Sequence, residues 1–411
     1  MKPFPVTRQG LLIVFIITFK AILMTVTPLS TDFLAQITYQ TKFLTPYQLL
    51  ATSILQIWYL LPFDHPQIST HLTLWTAQFL HATTGLYLLV FMLKLPLLIL
   101  DILAGSLIYA ITLRNSTNAK RARFAFFLWF LNPYVLVMNE MAGAIDLLPV
   151  VLFLLSILFL QRPKHLVKGA LANAAAMALK LFPIVLLPIF PMVGGRSRFS
   201  WVVVASGLLG VATYFAWVIA GGYNPGAQLL SYGPFTQSFD DFVLATSTGK
   251  QIGVAAISLV LTYVVLAERW PRTRDSIVDA LLLTLLGYFA FASWVPHYFV
   301  WLIPFLVLDR AINLRNSTYL IVLHLSAILI VVAAFPSYFT ADGNAFFFVP
   351  PLSSQLTSAI EIYQRVVQQG FVTIVGIPIV RALFTITCIL YWTRLLETRT
   401  GLISQLTKRL L

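Results

Sequence analysis

The feature that most constrains this chain is the recurrence, along its 411 residues, of apolar runs that carry few charges, many of them close to the roughly 20 residues that a spanning helix needs. With 59% hydrophobic residues and a mean hydropathy of +0.86, these runs cannot all be packed into a soluble core. The sequence therefore predicts an all-α, polytopic transmembrane bundle of about 11–13 spans. Hydropathy puts them at 10–28, 94–113, 121–138, 144–161, 168–180, 183–194, 199–220, 252–267, 276–294, 298–308, 318–335 and 370–393.

The formal net charge of +13 would suggest nucleic acid if the basic residues shared one soluble face. Instead most of the 27 Lys and Arg residues fall in short segments between the apolar runs, from Lys2 and Arg8 through Arg114, Lys120, Arg121 and Arg123 to Lys408 and Arg409. That is the pattern of cytoplasmic loops. It excludes a nucleic-acid partner, sets both termini on the cytoplasmic side, and sends segments 29–93, 221–251 and 336–369 outward. The first run contains Lys20 and lacks a small-residue cleavage site, so it reads as a retained helix. Residues 47–59 and 72–92 read as interfacial helices, with Trp58, Tyr59 and Trp75 at headgroup depth. The tail after Arg394 reads as a basic amphipathic segment drawn to anionic lipid. Asn115-Ser-Thr and Asn316-Ser-Thr fall on the expected cytoplasmic side and would carry no glycan. Cys388, the single cysteine, excludes an internal disulfide.

In so apolar a chain each of the 14 acidic residues needs a reason to lie at the bilayer. Asp32, four residues past the first run, is the foremost candidate for chemistry. The other ionisable groups expected at membrane depth are Lys20, Lys94, Asp101, Glu140, Asp146, Lys180, His297 and Arg381. Lys94 and Asp101 are seven apart and share a helix face. Asp101 can pair with Lys20 or Arg381, or serve a site. Helices break at Lys180-Leu-Phe-Pro183 and at Pro296-His-Tyr-Phe-Val-Trp301, and broken helices persist in membranes only where they line protein or a wet cavity. Lys180 beside such a break is placed to neutralise a phosphate. Asp64-His65 reads as a solvated turn, and Asp240, Asp241, Glu361 and Arg365 as a wet rim. No Gly-rich phosphate loop or dinucleotide fingerprint is present.

These pieces, in this order, resemble the GT-C class of membrane glycosyltransferases. The similarity is greatest to the polyprenyl- or dolichyl-phosphate-mannose-dependent mannosyltransferases of the PIG-M type. The elements that carry it are the acid after the first span, Lys94-Leu-Pro96 with Asp101, Asn132-Pro133, Gly143-Ala-Ile-Asp146, Lys180-Leu-Phe-Pro183, and His297-Tyr298 with Trp301 and Pro304. The resemblance covers residues 1–310 as a catalytic module that includes loop 29–93, and leaves 311–411 as a variable region of helices and basic tail. It departs in one respect: such enzymes carry an Asp-x-Asp pair in the first outer loop, whereas Asp32 stands alone.

What the resemblance implies is transfer of a sugar, mannose by analogy, from a polyprenyl-phosphate donor to an extracytoplasmic or lumenal lipid or glycan acceptor with inversion, in the synthesis of a glycolipid. Asp32 would be the base. Lys180, His297 and Tyr298, with Lys94 as an alternative, would hold the donor phosphate. Asp146 would bind sugar hydroxyls or support the helix break, with Asp101 and Asn132 as sugar or structural support. The lipid-linked sugar is a co-substrate, and neither a cofactor nor a metal is expected. Membrane lipids are partners, and an accessory membrane subunit is compatible with the fold. A secondary transporter or lipid-linked-sugar flippase, or a non-catalytic membrane subunit, would share the broken helices and buried charges.

Overall fold

The computed structural model describes residues 8–26, five positions between 53 and 60, 84–141, 143, 145–160, 163–193, 198–220, 243–245, 251–271, 276–292, 296–313, 317–339 and 377–405. Asp32 lies outside the described residues, as do nearly all of the interfacial segments 47–59 and 72–83; of these, residues 53, 54, 56 and 57 are helical. Among the described residues, four helical stretches are long and apolar enough to cross a membrane: Leu88–Ser116, Ala119–Met141, Phe199–Ala220 and Pro378–Thr400. Shorter apolar helices fill most of the remaining described chain. One two-stranded antiparallel ribbon, β1 (Val243–Ala245) with β2 (Gln251–Gly253), interrupts the helical pattern among the described residues.

The chain divides into two compact units. The first takes in residues up to Ile102, Phe130–Leu147 and Val331–Ile377. Its α1 (Arg8–Val26) buries a narrow stripe, Ile16, Lys20 and Met24, one residue every four. The rest of its surface is large and apolar: Val14 is 61% and Phe15 68% exposed. A water-soluble helix has the reverse pattern, so this one is built to face hydrocarbon outward and a charge inward. The next helix, α2, runs without interruption from Thr84 to Ser116. The boundary expected between residues 92 and 94 is therefore absent, and residues 84–92 continue into the second span rather than lying apart from it. Pro96 is accommodated inside the helix, as membrane helices allow. Leu93, Lys94, Leu97, Leu98 and Asp101 form its buried stripe in this unit, which sets Lys94 and Asp101 on one face.

A helix, α3 (Ala119–Phe130), leads into the second half of the first unit. The sequence reading carried one helix through to residue 138; instead the chain breaks at Asn132-Pro133. Pro133 has no N–H to donate, and the Asn132 side chain caps the new start by accepting from Tyr134 N and Val135 N at 3.0 and 3.2 Å. A single turn, Pro133–Val135, opens directly into a π-helix, Leu136–Met141. Four consecutive residues of this π-helix, Met138 to Met141, are all buried. Gly143 then adopts φ +73°, a left-handed conformation that costs a glycine little, and the turn at Ile145-Asp146 leads into α4 (Leu147–Leu160).

The second unit holds Leu103–Trp129, Leu148–Ile330 and Pro378–Leu411. Within it lie α5 (Leu166–Leu179), a 3₁₀ turn at Phe182–Leu186, α6 (Ile189–Val193) and α7 (Arg198–Ala220). They are followed by α8 (Val254–Glu268), α9 (Ile277–Phe291), a 3₁₀ segment at Pro296–Trp301, α10 (Ile303–Asn313), α11 (Ser317–Phe339, to Ile330 in this unit) and α12 (Ile377–Thr400). Helices α5 and α7 pack face to face. A Cβ at Gly210 would lie 2.7 Å from Met177 Cβ and closer still to the Ala174 carbonyl, so glycine is what permits the approach. Asn173 Nδ2 ties the pair by donating to Val203 O and Ser206 Oγ at 3.0 and 3.2 Å. The centre of the unit is α9, buried on every side from Ile277 to Ala290. One of its ends is fixed by polar contacts: Arg399 pairs with Asp279, Asn313 Nδ2 donates to both Asp279 and Asp309, and Tyr391 donates to Asp309.

Candidate functional site

Two groups stand out, a buried ionic cluster in one unit and a lysine among aromatic rings in the other. In the first unit Lys20 Nζ lies 2.7 Å from Asp101 Oδ2 and 2.9 Å from Glu140 Oε1, and all three side chains are at most 1% exposed. The same ammonium sits 4.4 Å from the centre of the Phe130 ring. Lys94 Nζ donates to the Met141 carbonyl at 2.6 Å. Three segments are thereby joined by charge: the inward stripe of α1, the inward stripe of α2 and the π-helix. In hydrocarbon an ionised side chain survives only with such partners.

This arrangement resolves two of the residues named from sequence. Asp101 pairs with Lys20; Arg381, the other partner considered, binds main chain elsewhere, as described below. Lys94 is fully buried, with its ammonium on the carbonyl at the end of the π-helix. Asn132 acts as a helix cap. Asp146 is 1% exposed at the turn before α4. Asn139, inside the π-helix, is fully buried and its amide has no hydrogen-bond partner among the described residues.

In the second unit the two helix breaks anticipated from sequence come together. Lys180 caps the C-terminus of α5 in an extended conformation, with its N–H on Ala176 O at 3.1 Å, and Pro183 starts the 3₁₀ turn that follows. Lys180 Nζ lies 4.6 Å above the centre of the Tyr298 ring, on the second break. Phe182 fills the space beside them, its ring 5.0 Å from Trp301, 5.3 Å from Tyr288 and stacked on Tyr298 at 6.4 Å. Tyr298 is 9% exposed and Trp301 1%. His297 belongs to the same 3₁₀ segment, and its side chain is outside the described residues. The outcome is a lysine with intermediate exposure on a wall of buried aromatic rings. The lysine is the accessible part of this group: it presents one positive charge, which can receive an anionic headgroup, over rings that are packed against one another.

The backbone at these breaks is held by Tyr263 and Thr385, which the sequence does not single out, and by Arg381, for which it suggests a different partner. Tyr263 on α8 donates its hydroxyl to Val185 O in the first 3₁₀ turn. Arg381 and Thr385 on α12 donate to carbonyls at the end of α9. A main-chain carbonyl has no signature in sequence, so only an unexplained polar residue within an apolar run, such as Arg381, could have signalled the contact. Comparison with protein-family models, curated proteins and solved structures returns no match for this chain.

Proposed function

We propose that the protein is a membrane glycosyltransferase of the GT-C type, moving a sugar, mannose by resemblance, from polyprenyl phosphate to a lipid or glycan acceptor on the extracytoplasmic or lumenal side. The observation that carries this reading is the meeting of Lys180 with Tyr298 across two helix breaks remote in sequence. Irregular backbone at membrane depth lines either protein or a cavity, and a partly exposed cation on an aromatic wall suits a lipid phosphate. The four long spans and the shorter apolar helices are compatible with the expected range of spans.

In the proposed step the acceptor hydroxyl oxygen attacks the anomeric carbon while the bond from that carbon to the phosphate oxygen breaks, so configuration inverts. The hydroxyl proton passes to Asp32, and polyprenyl phosphate leaves with its charge opposed by Lys180, assisted by His297. Tyr298, Phe182 and Trp301 supply the apolar wall. Asp146 either binds sugar hydroxyls or supports the turn before α4. Lys94, the alternative, donates to the Met141 carbonyl, so Lys180 is the stronger candidate for the phosphate.

Lys180→Met in proteoliposomes is expected to lower release of polyprenyl phosphate by about 10²–10³-fold, the usual cost of removing one preorganised charge stabiliser. Lys180→Arg should recover part of the loss. A methionine variant with the wild-type rate would overturn the assignment. The buried Lys20–Asp101–Glu140 cluster is the one observation that favours a second reading, a transporter or flippase of lipid-linked sugar. That activity would carry the intact donor across the bilayer and release no polyprenyl phosphate.

A further inference from the structure

We propose that Arg381 and Thr385 of the C-terminal helix are positioning residues for the candidate site, so that α12 belongs to its machinery although the resemblance stops at residue 310. Helix α9 ends at Phe291, and Ala292 caps it in an extended conformation. A helix terminus leaves its last carbonyls without donors from its own helix, and at membrane depth water is not there to take them. Arg381 Nη1 donates to Phe289 O at 3.2 Å and Nη2 to Ala292 O at 2.5 Å, while Thr385 Oγ1 donates to Ala290 O at 2.8 Å. Three of four consecutive carbonyls are thus gripped by two side chains one helical turn apart.

The planar guanidinium suits this task because its donors lie in a fixed fork that spans two acceptors. Its positive charge also faces the negative end of the α9 dipole. Beyond residues 293–295 the same helix makes contact again. The Phe384 ring lies 5.5 Å from Phe299, within the 3₁₀ segment that carries Tyr298, and Arg381 sits over Phe384 at 5.5 Å. Helix α12 therefore holds the backbone before the break and the aromatic ring after it. Tyr263 does the corresponding work at the Lys180 break through Val185 O. The backbone that carries Tyr298 and the backbone that follows Lys180 are thus each supported by side chains from other helices.

The kinetic arm of the test rests on the glycosyltransferase reading, and the exchange arm does not. Full-length Arg381→Gln, Arg381→Lys and Thr385→Val proteins in liposomes are compared by donor kinetics and by hydrogen exchange. In Arg381→Gln the amides of 286–301 should exchange faster while those of 386–400 stay protected. The kcat/KM for the donor should fall roughly 10²-fold, the cost of misplacing a site by about 1 Å. Arg381→Lys, whose ammonium can still donate to one carbonyl, should recover part of both, and Thr385→Val should show a smaller change of the same kind. If Arg381 merely glued α12 to its neighbours, exchange would rise along all of 377–400, and the folded fraction would keep its wild-type kcat and KM. That result, or unchanged exchange in 286–301, overturns the assignment. Selective opening of 286–301 in a wild-type background that transfers no sugar would keep the positioning role and defeat the glycosyltransferase reading instead.

Discussion

Replacing Lys20 by methionine is expected to destabilise the protein by about 3–5 kcal/mol, the range for removing one partner of a buried ion pair. Methionine fills a similar volume on the buried stripe of α1, so packing is nearly conserved and the loss is electrostatic. Without the ammonium, Asp101 and Glu140 no longer have the cation that lies within 3 Å of each. Most of the loss should disappear on neutralising the whole group. Lys20→Met combined with Asp101→Asn and Glu140→Gln leaves no charge uncompensated at those three positions, and such exchanges of buried ion clusters are often neutral. Denaturation in detergent, followed by loss of helical signal or by thermal aggregation, gives both numbers. A single Lys20→Met variant as stable as wild type would show that the cluster does not hold α1, α2 and the π-helix together.

Asp32→Asn should reduce sugar transfer by about 10²–10⁴-fold, the contribution of a positioned general base. The substitution keeps the shape of the side chain and removes its basicity, so binding of the lipid-linked donor should be unchanged and the effect should appear in kcat. Donor affinity measured on the same preparation separates this from misfolding. Full activity in the variant would remove Asp32 from the chemistry and leave the Lys180 group as a binding site without its base.

Most of the helices could be read directly from the apolar runs, because a bilayer leaves few alternatives to a helix. The described helix α7 differs from its expected range by one residue at its start, and α4 lost only its entry turn. What failed was punctuation. Lys94-Leu-Pro96 looked like a helix start, yet α2 runs through it, since a proline in a membrane helix can be supported by its neighbours. Asn132-Pro133 looked like an ordinary proline within a span, yet the asparagine cap makes it a true restart.

The site was partly legible for the same reason that charges are scarce in this chain. With so few ionisable residues in the apolar runs, Lys20 was one of only two partners available to Asp101, and Lys180 beside a proline could be singled out. Neither Glu140 as a second partner for Lys20 nor the stacking of Phe182 on Tyr298 has a local pattern; both depend on how segments remote in sequence meet. The contact of Lys94 with the Met141 carbonyl was not legible either, because nothing in the sequence indicates which acceptor an ammonium faces.

The most direct measurement offers the purified chain, reconstituted in liposomes with a lipid extract as acceptor, a panel of polyprenyl phosphates bearing different sugars, and follows free polyprenyl phosphate together with the fate of the sugar. The glycosyltransferase account predicts that one donor, the mannosyl one by resemblance, yields polyprenyl phosphate and glycosylated lipid in equal amounts. If no donor in the panel is cleaved while intact donor accumulates in the opposite leaflet, the protein moves its lipid instead of reacting with it, and the account is contradicted.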